Sequence, residues 1–439
     1  MNVLDPALLN RCIHCGICLA TCPTYDLTQH ERHSPRGRLN LMKSVLHGEI
    51  KPTRAFAEEM YDCLGCLACE TSCPAGIEYG QLLETSRSLS EEHGSLDSPL
   101  RCLLRRIFLR EVFTRPRLLR FLGRLVRVAQ LLRLSDLLTA SGIPLLLPAS
   151  FRAALQLSPP ISPLFSDRLI RPLEKPARTT RRVALLTGCV QDLIYAEINR
   201  DTADLLLAAG CEVVTPPVQP CCGSLHAHQG DLTTSRELAR RLIRLFPPAD
   251  FDAIISNAGG CGSHLRQFSH LLALDPEFSD SAILWDSKIR DIHEFLFEIS
   301  WSPPSSLTSM KKIRGTIHES CHLYHGQKIR TAPQELLRQL PDYEWSVLPE
   351  STWCCGSAGI YNLTHPATAE ALLRRKINHL RTSGASIVAT ANPGCLLQLQ
   401  TGARKQGLQV ECVHPVTLLA RACRSASSSS FSAHETIAS

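Results

Sequence analysis

Apolar residues recur along this chain in two rhythms, and the rhythm changes from region to region. In the second half, apolar runs at Val183 to Thr187, Ile313 to His318, Ala253 to Ser256 and Ser386 to Thr390 read as strands, the last two as buried ones. Between them, Ser235 to Phe246 and Ala367 to Leu380 place apolar residues every three or four positions, the helical spacing. Strands alternating with helices predict parallel α/β layers. The N-terminal region differs: its periodic stretches, Arg36 to His47 and Thr53 to Met60, are helical in spacing. From Leu103 to Leu134 arginine alternates with Leu, Phe and Val, which predicts basic amphipathic helices. No run of about 18 uncharged apolar residues occurs, so a conventional membrane-spanning helix is excluded. The Ser-rich end has little to bury and is expected to be disordered.

These regions predict an α+β multidomain chain. We expect an α-helical domain over residues 1–95 and a basic Leu/Arg-rich helical connector over 96–180. Two tandem α/β domains follow, over 181–305 and 306–423, and a disordered tail over 424–439. A length of 439 residues fits two to three ordinary domains. Charge sharpens the picture. The net +6 conceals a connector with 17 Arg and Lys against 4 Asp and Glu between Arg101 and Arg182, a local +13 that leaves the rest at −7. Such a connector suits peripheral contact with an anionic membrane or with a partner subunit. It equally suits packing on the chain's own core with arginines outward. Nucleic acid is not expected, since neither a binding motif nor interleaved aromatics accompany the charge.

The chain has 20 cysteines, and its first residues, MNVLDPALLN, show no basic and apolar export signal. We therefore expect a cytoplasmic, reducing location, with thiolates committed to metal rather than to disulfides. Eight cysteines form two copies of one motif. The first is Cys12-Ile-His-Cys15-Gly-Ile-Cys18-Leu-Ala-Thr-Cys22-Pro23, the second Cys63-Leu-Gly-Cys66-Leu-Ala-Cys69-Glu-Thr-Ser-Cys73-Pro74. Both read C-x2-C-x2-C-x3-C-P, the bacterial ferredoxin pattern for [4Fe–4S] clusters. Three thiolates spaced three residues apart wrap three corners of one cube, and the fourth, before proline, points to the other cube. Cluster I is thus expected on Cys12, Cys15, Cys18 and Cys73, and cluster II on Cys63, Cys66, Cys69 and Cys22. Zinc is the competing reading, but zinc sites pair two CxxC units rather than using this run twice. The long, helical separation from Cys22 to Cys63 predicts an α-helical ferredoxin rather than a compact βαβ one. His14 reads as a loop residue that tunes the cluster, not a ligand.

The second half is an internal repeat. Cys189, Cys221-Cys222-Gly223-Ser224 and Gly260-Cys261 are matched by Cys321, Cys354-Cys355-Gly356-Ser357 and Gly394-Cys395, at offsets of 132 to 134 residues. Cysteines at the C-terminal ends of parallel strands converge on a crevice where open α/β sheets place ligands. Vicinal thiols repeated with matched partners favour metal. A further [4Fe–4S] cluster in one or both repeats is the first reading, and a structural zinc the second. His264 reads as a polar rim residue and Gln398 as no ligand. His226, His228, His322 and His325 read as solvated or supporting residues that could relay protons. Cys102, Cys211, Cys412 and Cys423 fit no repeat and are taken as buried or incidental.

Two absences matter. No G-x-G-x-x-G follows a strand, and no Walker loop or acid/base pair stands out, so no catalytic residue is assigned. Clusters move single electrons, so a two-electron oxidation coupled to them calls for a cofactor other than the clusters.

The chain resembles the iron–sulfur subunits of bacterial glycolate oxidases. The likeness rests on the two cysteine motifs, on Ser34-Pro35-Arg36-Gly37-Arg38, on Trp353-Cys354-Cys355-Gly356-Ser357-Ala358-Gly359 and on Ala391-Asn392-Pro393-Gly394-Cys395, and covers about residues 8–421. It implies an electron-transfer subunit, itself non-catalytic. FAD-binding glycolate oxidase subunits would oxidise glycolate to glyoxylate, and this chain would relay electrons to a quinone or other membrane acceptor. D-lactate and anaerobic glycerol-3-phosphate dehydrogenases share the Cys-Cys-Gly domains and are the alternatives. Two readings of another class compete: a heterodisulfide-reductase-like thiol–disulfide reductase, and a zinc-rich scaffold. Heterodisulfide reductases add a fifth cysteine that completes a CxxC, where this chain has Gly262-Ser263-His264 and Leu396-Leu397-Gln398.

Overall fold

In the computed structural model the chain is described over residues 4–134, 159–304 and 312–435. The N-terminal part has no strand among the described residues. Its longer helices are Pro35–Leu46, Arg54–Asp62 and Tyr79–Glu92, close to the two expected from spacing. They bury one shared core of Leu39, Met42, Phe56, Met60, Leu82 and Leu83, against which Cys12, Cys63, Cys69 and Cys73 pack.

The Ser-Pro-Arg-Gly-Arg stretch explains itself here. Ser34 caps the helix by accepting a hydrogen bond from the Gly37 N–H at 3.0 Å, and Pro35 occupies the first turn, where its missing N–H costs nothing. A Cβ on Gly37 would stand 2.0 Å from the Glu31 carbonyl oxygen, so only glycine fits. Arg38 is wholly buried. It donates to the His33 carbonyl at 2.6 Å and the Glu59 carbonyl at 2.8 Å, and to Thr24 Oγ1 at 3.1 Å and Asp62 Oδ2 at 3.2 Å.

The two repeats are parallel α/β layers. In the first sheet, β1 (Leu173–Glu174), β2 (Arg181–Leu185), β3 (Cys211–Val214), β4 (Ala253–Ser256) and β5 (Ile289–Asp291) lie in the order β1-β3-β2-β4-β5, parallel except at the β1 edge. In the second, β6 (Ile313–Ile317), β7 (Tyr343–Val347), β8 (Ile387–Ala389) and β9 (Glu411–Val413) lie in the order β7-β6-β8-β9, all parallel. The first sheet therefore begins inside the segment expected to be connector. One apolar core runs through both repeats and includes Val183, Ile255, Ile317, Val388 and Leu419. The repeats are also joined by Gly259 N–H to the Ala391 carbonyl at 3.0 Å and by Gly260 N–H to Asn392 Oδ1 at 3.0 Å.

The last helix, Pro415–Glu435, runs through the predicted boundary at 423 and into the segment expected to be disordered. Its continuation has an anchor, because Arg424 pairs with Asp201 at 2.8 Å. In the connector, helix Pro116–Leu131 turns Arg120 and Arg127 inward, while Arg117 and Arg124 stay exposed. Arg120 pairs with Asp192 at 2.8 Å, Arg127 donates to the Ile161 carbonyl at 2.6 Å, and Arg124 lies over the Phe165 ring. The cationic heads found a carboxylate on the first repeat, Asp192, and the Ile161 carbonyl and Phe165 ring at the connector's own far end, leaving Phe121, Leu125 and Leu131 exposed. The rest of the connector, 135–158, lies outside the described residues, as do 305–311 and 436–439. Among the described residues no helix is long and apolar enough to cross a membrane.

One buried arginine ties the parts together. Arg87 donates to the carbonyls of Met60 at 2.9 Å and Cys63 at 2.6 Å, and to that of His228 in the first repeat at 2.8 Å.

Candidate iron–sulfur and metal centres

The eight motif cysteines gather around two cavities. Cys12, Cys15, Cys18 and Cys73 line the first, and Cys22, Cys63, Cys66 and Cys69 the second. Each group draws its fourth cysteine from the other motif, because Cys22 and Cys73 stand beside short helices that carry them across. Pro35, Cys69 and Tyr79 line both cavities, so the two share a wall. His14 lies in the first loop and is exposed, with only its carbonyl engaged, by Arg36 at 3.3 Å.

Burial pushes the Cys66 and Cys69 thiols well above their ordinary range, and neighbouring cysteines add to the effect. Burial also raises Cys18 and Cys22. Without a metal these are protonated thiols, and a metal must displace their protons. Arg38 opposes the build-up of charge, since the Cys63 and Cys22 thiolates lie close enough to hold its guanidinium above its ordinary range against burial. Tyr79 offers its hydroxyl to Cys63 Sγ at 3.7 Å, and the Gly65 N–H lies 3.4 Å from the same sulfur. Four thiolate donors suit a [4Fe–4S] cluster in each cavity, and at the second a nearby cation and N–H and O–H donors to sulfur add to the fit.

The repeat cysteines form two further groups, one per sheet. Cys189 follows β2, Cys221-Cys222 follow β3 and Cys261 follows β4. Cys321 follows β6, Cys354-Cys355 follow β7 and Cys395 follows β8. All eight therefore lie at the C-terminal edges of parallel strands. The glycine of each Cys-Cys-Gly turn is left-handed, with φ 91° at Gly223 and 87° at Gly356, a conformation that costs other residues energy.

The two groups are not chemically alike. In the first, Cys189 Sγ stands 3.5 Å from Cys221 Sγ. Hydrogen bonds from Cys189, Cys222 and His226 hold Cys221 well below its ordinary range, so it is the first thiolate of the set. Burial pulls His226 down, but Cys221 prevails and raises it. In the second group, hydrogen bonding among the cysteines and burial leave Cys321, Cys354 and Cys355 all raised. His318 stands instead beside Cys355 and Cys395, with the three donor atoms within 4.8 Å of one another. The fully buried Lys376 lies within electrostatic range of Cys355, Cys354 and Cys395. In sequence His318 only closes a strand-like apolar run, and no motif marks it as a site residue.

Other histidines depart from expectation too. His264 is buried rather than at a rim, its Nε2 3.0 Å from Ser235 Oγ, and burial pulls it down to about 4. His226 is buried with Nε2 2.7 Å from the Leu109 carbonyl. His228 Nδ1 lies 2.8 Å from Glu84, His322 Nε2 2.9 Å from the Gly65 carbonyl, and His325 Nδ1 2.8 Å from Thr71 Oγ1. His228, His322 and His325 thus link the repeats to the ferredoxin part, and His226 links the first repeat to the connector, all as supporting rather than solvated residues. Gln398 is buried and accepts from Asn362. Cys211 and Cys412 are buried on β3 and β9, and Cys102 is exposed.

The second repeat docks on the second ferredoxin loop. Cys66 lies within electrostatic range of Cys321 and Cys354 and packs with them against Leu64, Tyr361 and Leu372. An α-helical dicluster domain followed by two Cys-Cys-Gly α/β domains defines a class of multidomain iron–sulfur proteins. Family models agree: a 4Fe-4S dicluster domain matches residues 8–77, and a cysteine-rich domain matches 183–266 and again 315–400. The chain is 36% identical to the probable glycolate oxidase iron-sulfur subunit of Bacillus subtilis (strain 168) over 95% of both chains. It is 33% identical to the glycolate oxidase iron-sulfur subunit of Escherichia coli (strain K12) over 91% of both. The lactate utilization protein A of Oceanobacillus iheyensis is 28% identical over 54% of this chain and 96% of its own length. The chain belongs to the glycolate oxidase iron–sulfur subunit family.

Proposed function

We propose that this chain is the electron-relay subunit of a multi-subunit glycolate oxidase. An FAD-bearing partner oxidises glycolate to glyoxylate, and this chain carries the electrons toward a quinone or another membrane acceptor. The observation that carries the reading is the pair of four-cysteine cavities with a common wall: Cys12, Cys15, Cys18 and Cys73 hold one [4Fe–4S] cluster, and Cys22, Cys63, Cys66 and Cys69 the other. When bound, such clusters supply one-electron steps. The protein's own residues do the rest. Arg38 offsets thiolate charge at the second site, and Tyr79 and Gly65 offer hydrogen bonds to Cys63. Glycolate is favoured over lactate because the glycolate oxidase subunits match along nearly the whole chain, whereas the lactate utilization protein matches about half.

Contact with the membrane or a partner subunit falls, on this reading, to the exposed connector residues Leu103, Phe108, Phe121 and Leu125. The test is anaerobic purification of the complex, followed by EPR and glycolate-dependent dye reduction, for the wild type and Cys66→Ser. The variant should lose one reduced-cluster signal and the dye reduction while the partner keeps its flavin. Protein that contains zinc and no iron sinks the proposal.

A further inference from the structure

His318 is an anomaly that neither the ferredoxin motifs nor the Cys-Cys-Gly motifs account for. It follows β6, its N–H donates to the Ala389 carbonyl at 3.0 Å, and only 1% of its surface is exposed. Neither ring nitrogen closes a well-formed hydrogen bond among the described residues, the Ser351 backbone being only loosely engaged. Buried polar side-chain atoms are almost always bonded, so an imidazole with neither nitrogen firmly bonded needs a reason. Its neighbours supply one. His318, Cys355 and Cys395 are all buried and bring one nitrogen and two sulfurs within 4.8 Å of one another. Donors around a tetrahedral zinc stand about 3.5–3.8 Å apart, given bonds of about 2.0–2.3 Å, so closing on an ion needs adjustments of about an ångström. Cys354 is a further sulfur in hydrogen-bonding range of Cys355.

We propose that the second repeat binds a single thiophilic divalent metal, zinc or iron(II), with His318 as its nitrogen ligand beside Cys355 and Cys395. The site belongs to the second repeat alone. By the offset of 132 residues between Cys189 and Cys321, the counterpart of His318 is Leu186, which offers no donor. The setting suits this charge pattern. Two thiolates and a neutral imidazole leave a divalent ion neutral overall, and the buried Lys376 offsets a third thiolate if Cys354 joins. Soft sulfur with imidazole selects zinc or iron over magnesium or calcium.

The test uses the full chain, purified anaerobically, with iron, zinc and sulfide counted per chain. His318→Leu installs the residue the first repeat carries at this place, and His318→Cys replaces one soft donor with another. The wild type should hold metal beyond that of its two cubane clusters. His318→Leu should lose one equivalent while both cluster EPR signals remain, and His318→Cys should keep it. Zinc is distinguished from iron by which element falls. X-ray absorption at the zinc edge, or Mössbauer spectroscopy for non-cluster iron, should show a nitrogen neighbour or a high-spin ferrous ion in the wild type. The proposal is overturned if the wild type has no additional metal, or if His318→Leu retains it. If His318→Leu fails to fold, absence of these wild-type signatures overturns it instead. Electron transfer through the ferredoxin clusters is read separately, so either idea can fail while the other stands.

Discussion

Replacing Arg38 by methionine, similar in length but uncharged, tests the account of the second cavity. The guanidinium serves four acceptors: His33 O, Glu59 O, Thr24 Oγ1 and Asp62 Oδ2. They do not suffer equally. The Thr24 hydroxyl also donates to the His33 carbonyl at 2.7 Å, so that oxygen keeps a partner. The Asp62 side chain is 25% exposed and is partly resolvated by water. The main losses are the Glu59 carbonyl, at about 1–3 kcal/mol for an unmet buried acceptor, and a weakened ion pair. Together they come to about 2–3 kcal/mol, since methionine still fills the space. At about 4–8 °C per kcal/mol for a domain near this size, the helical N-terminal unit should melt roughly 10–20 °C lower. The Cys22 and Cys63 thiolates also lose a counter-cation, so the second cavity should retain less iron. The assay is anaerobic thermal unfolding followed by cluster absorbance, with iron counted before heating. Arg38→Lys should fall between, because it restores charge without the planar fork of donors. A methionine variant with full iron and a melt within about 2 °C of wild type would refute this reasoning.

Other perturbations follow from the same geometry. Gly37→Ala puts a Cβ 2.0 Å from the Glu31 carbonyl and should cost about 1–3 kcal/mol, seen as a lower melt and reduced iron. Gly123→Leu drives side chain into Leu193, 2.6 Å from the position of a Cβ, and should lift the connector helix, read as faster proteolysis there. Asp231 caps the helix Leu232–Leu245 and pairs with Arg110 at 3.0 Å, contacts that outweigh burial and hold its carboxyl below the ordinary range. Its depressed value means its contribution is present above the usual pKa of about 3.9 and is lost as pH falls below it. Asp231→Asn should cost about 1 kcal/mol at pH 7 and flatten that acid limb in denaturation curves; an unchanged limb would dismiss the contact.

What the sequence disclosed was what spacing encodes. Two cysteine runs named their own chemistry, and matched offsets exposed the tandem domains before any coordinate. Strand Ala253–Ser256 and helix Pro366–Ser383 were legible because their apolar period is strong. Short strands such as β5 and β9, at three residues each, carry too few positions for a period to show. The inward arginines escaped prediction because periodicity identifies two faces but not which finds partners: Asp192 and the Ile161 carbonyl are distant in sequence from Arg120 and Arg127. His318 was hidden for a similar reason. As a letter it closes a strand; only burial, two ring nitrogens without a well-formed bond and the approach of residues 355 and 395 set it apart.

Arg87 has a consequence for how the cell tells finished from unfinished subunits. One guanidinium grips the carbonyl of Cys63, in the second iron-binding loop, and that of His228 across the domain boundary. A loop left slack for want of iron relaxes its hold on that guanidinium, and with it the clasp on the neighbouring domain. Iron binding in that loop and the clasp on the neighbouring domain are therefore expected to be coupled, and a chain starved of iron should be cut faster by proteases at this seam than the loaded one.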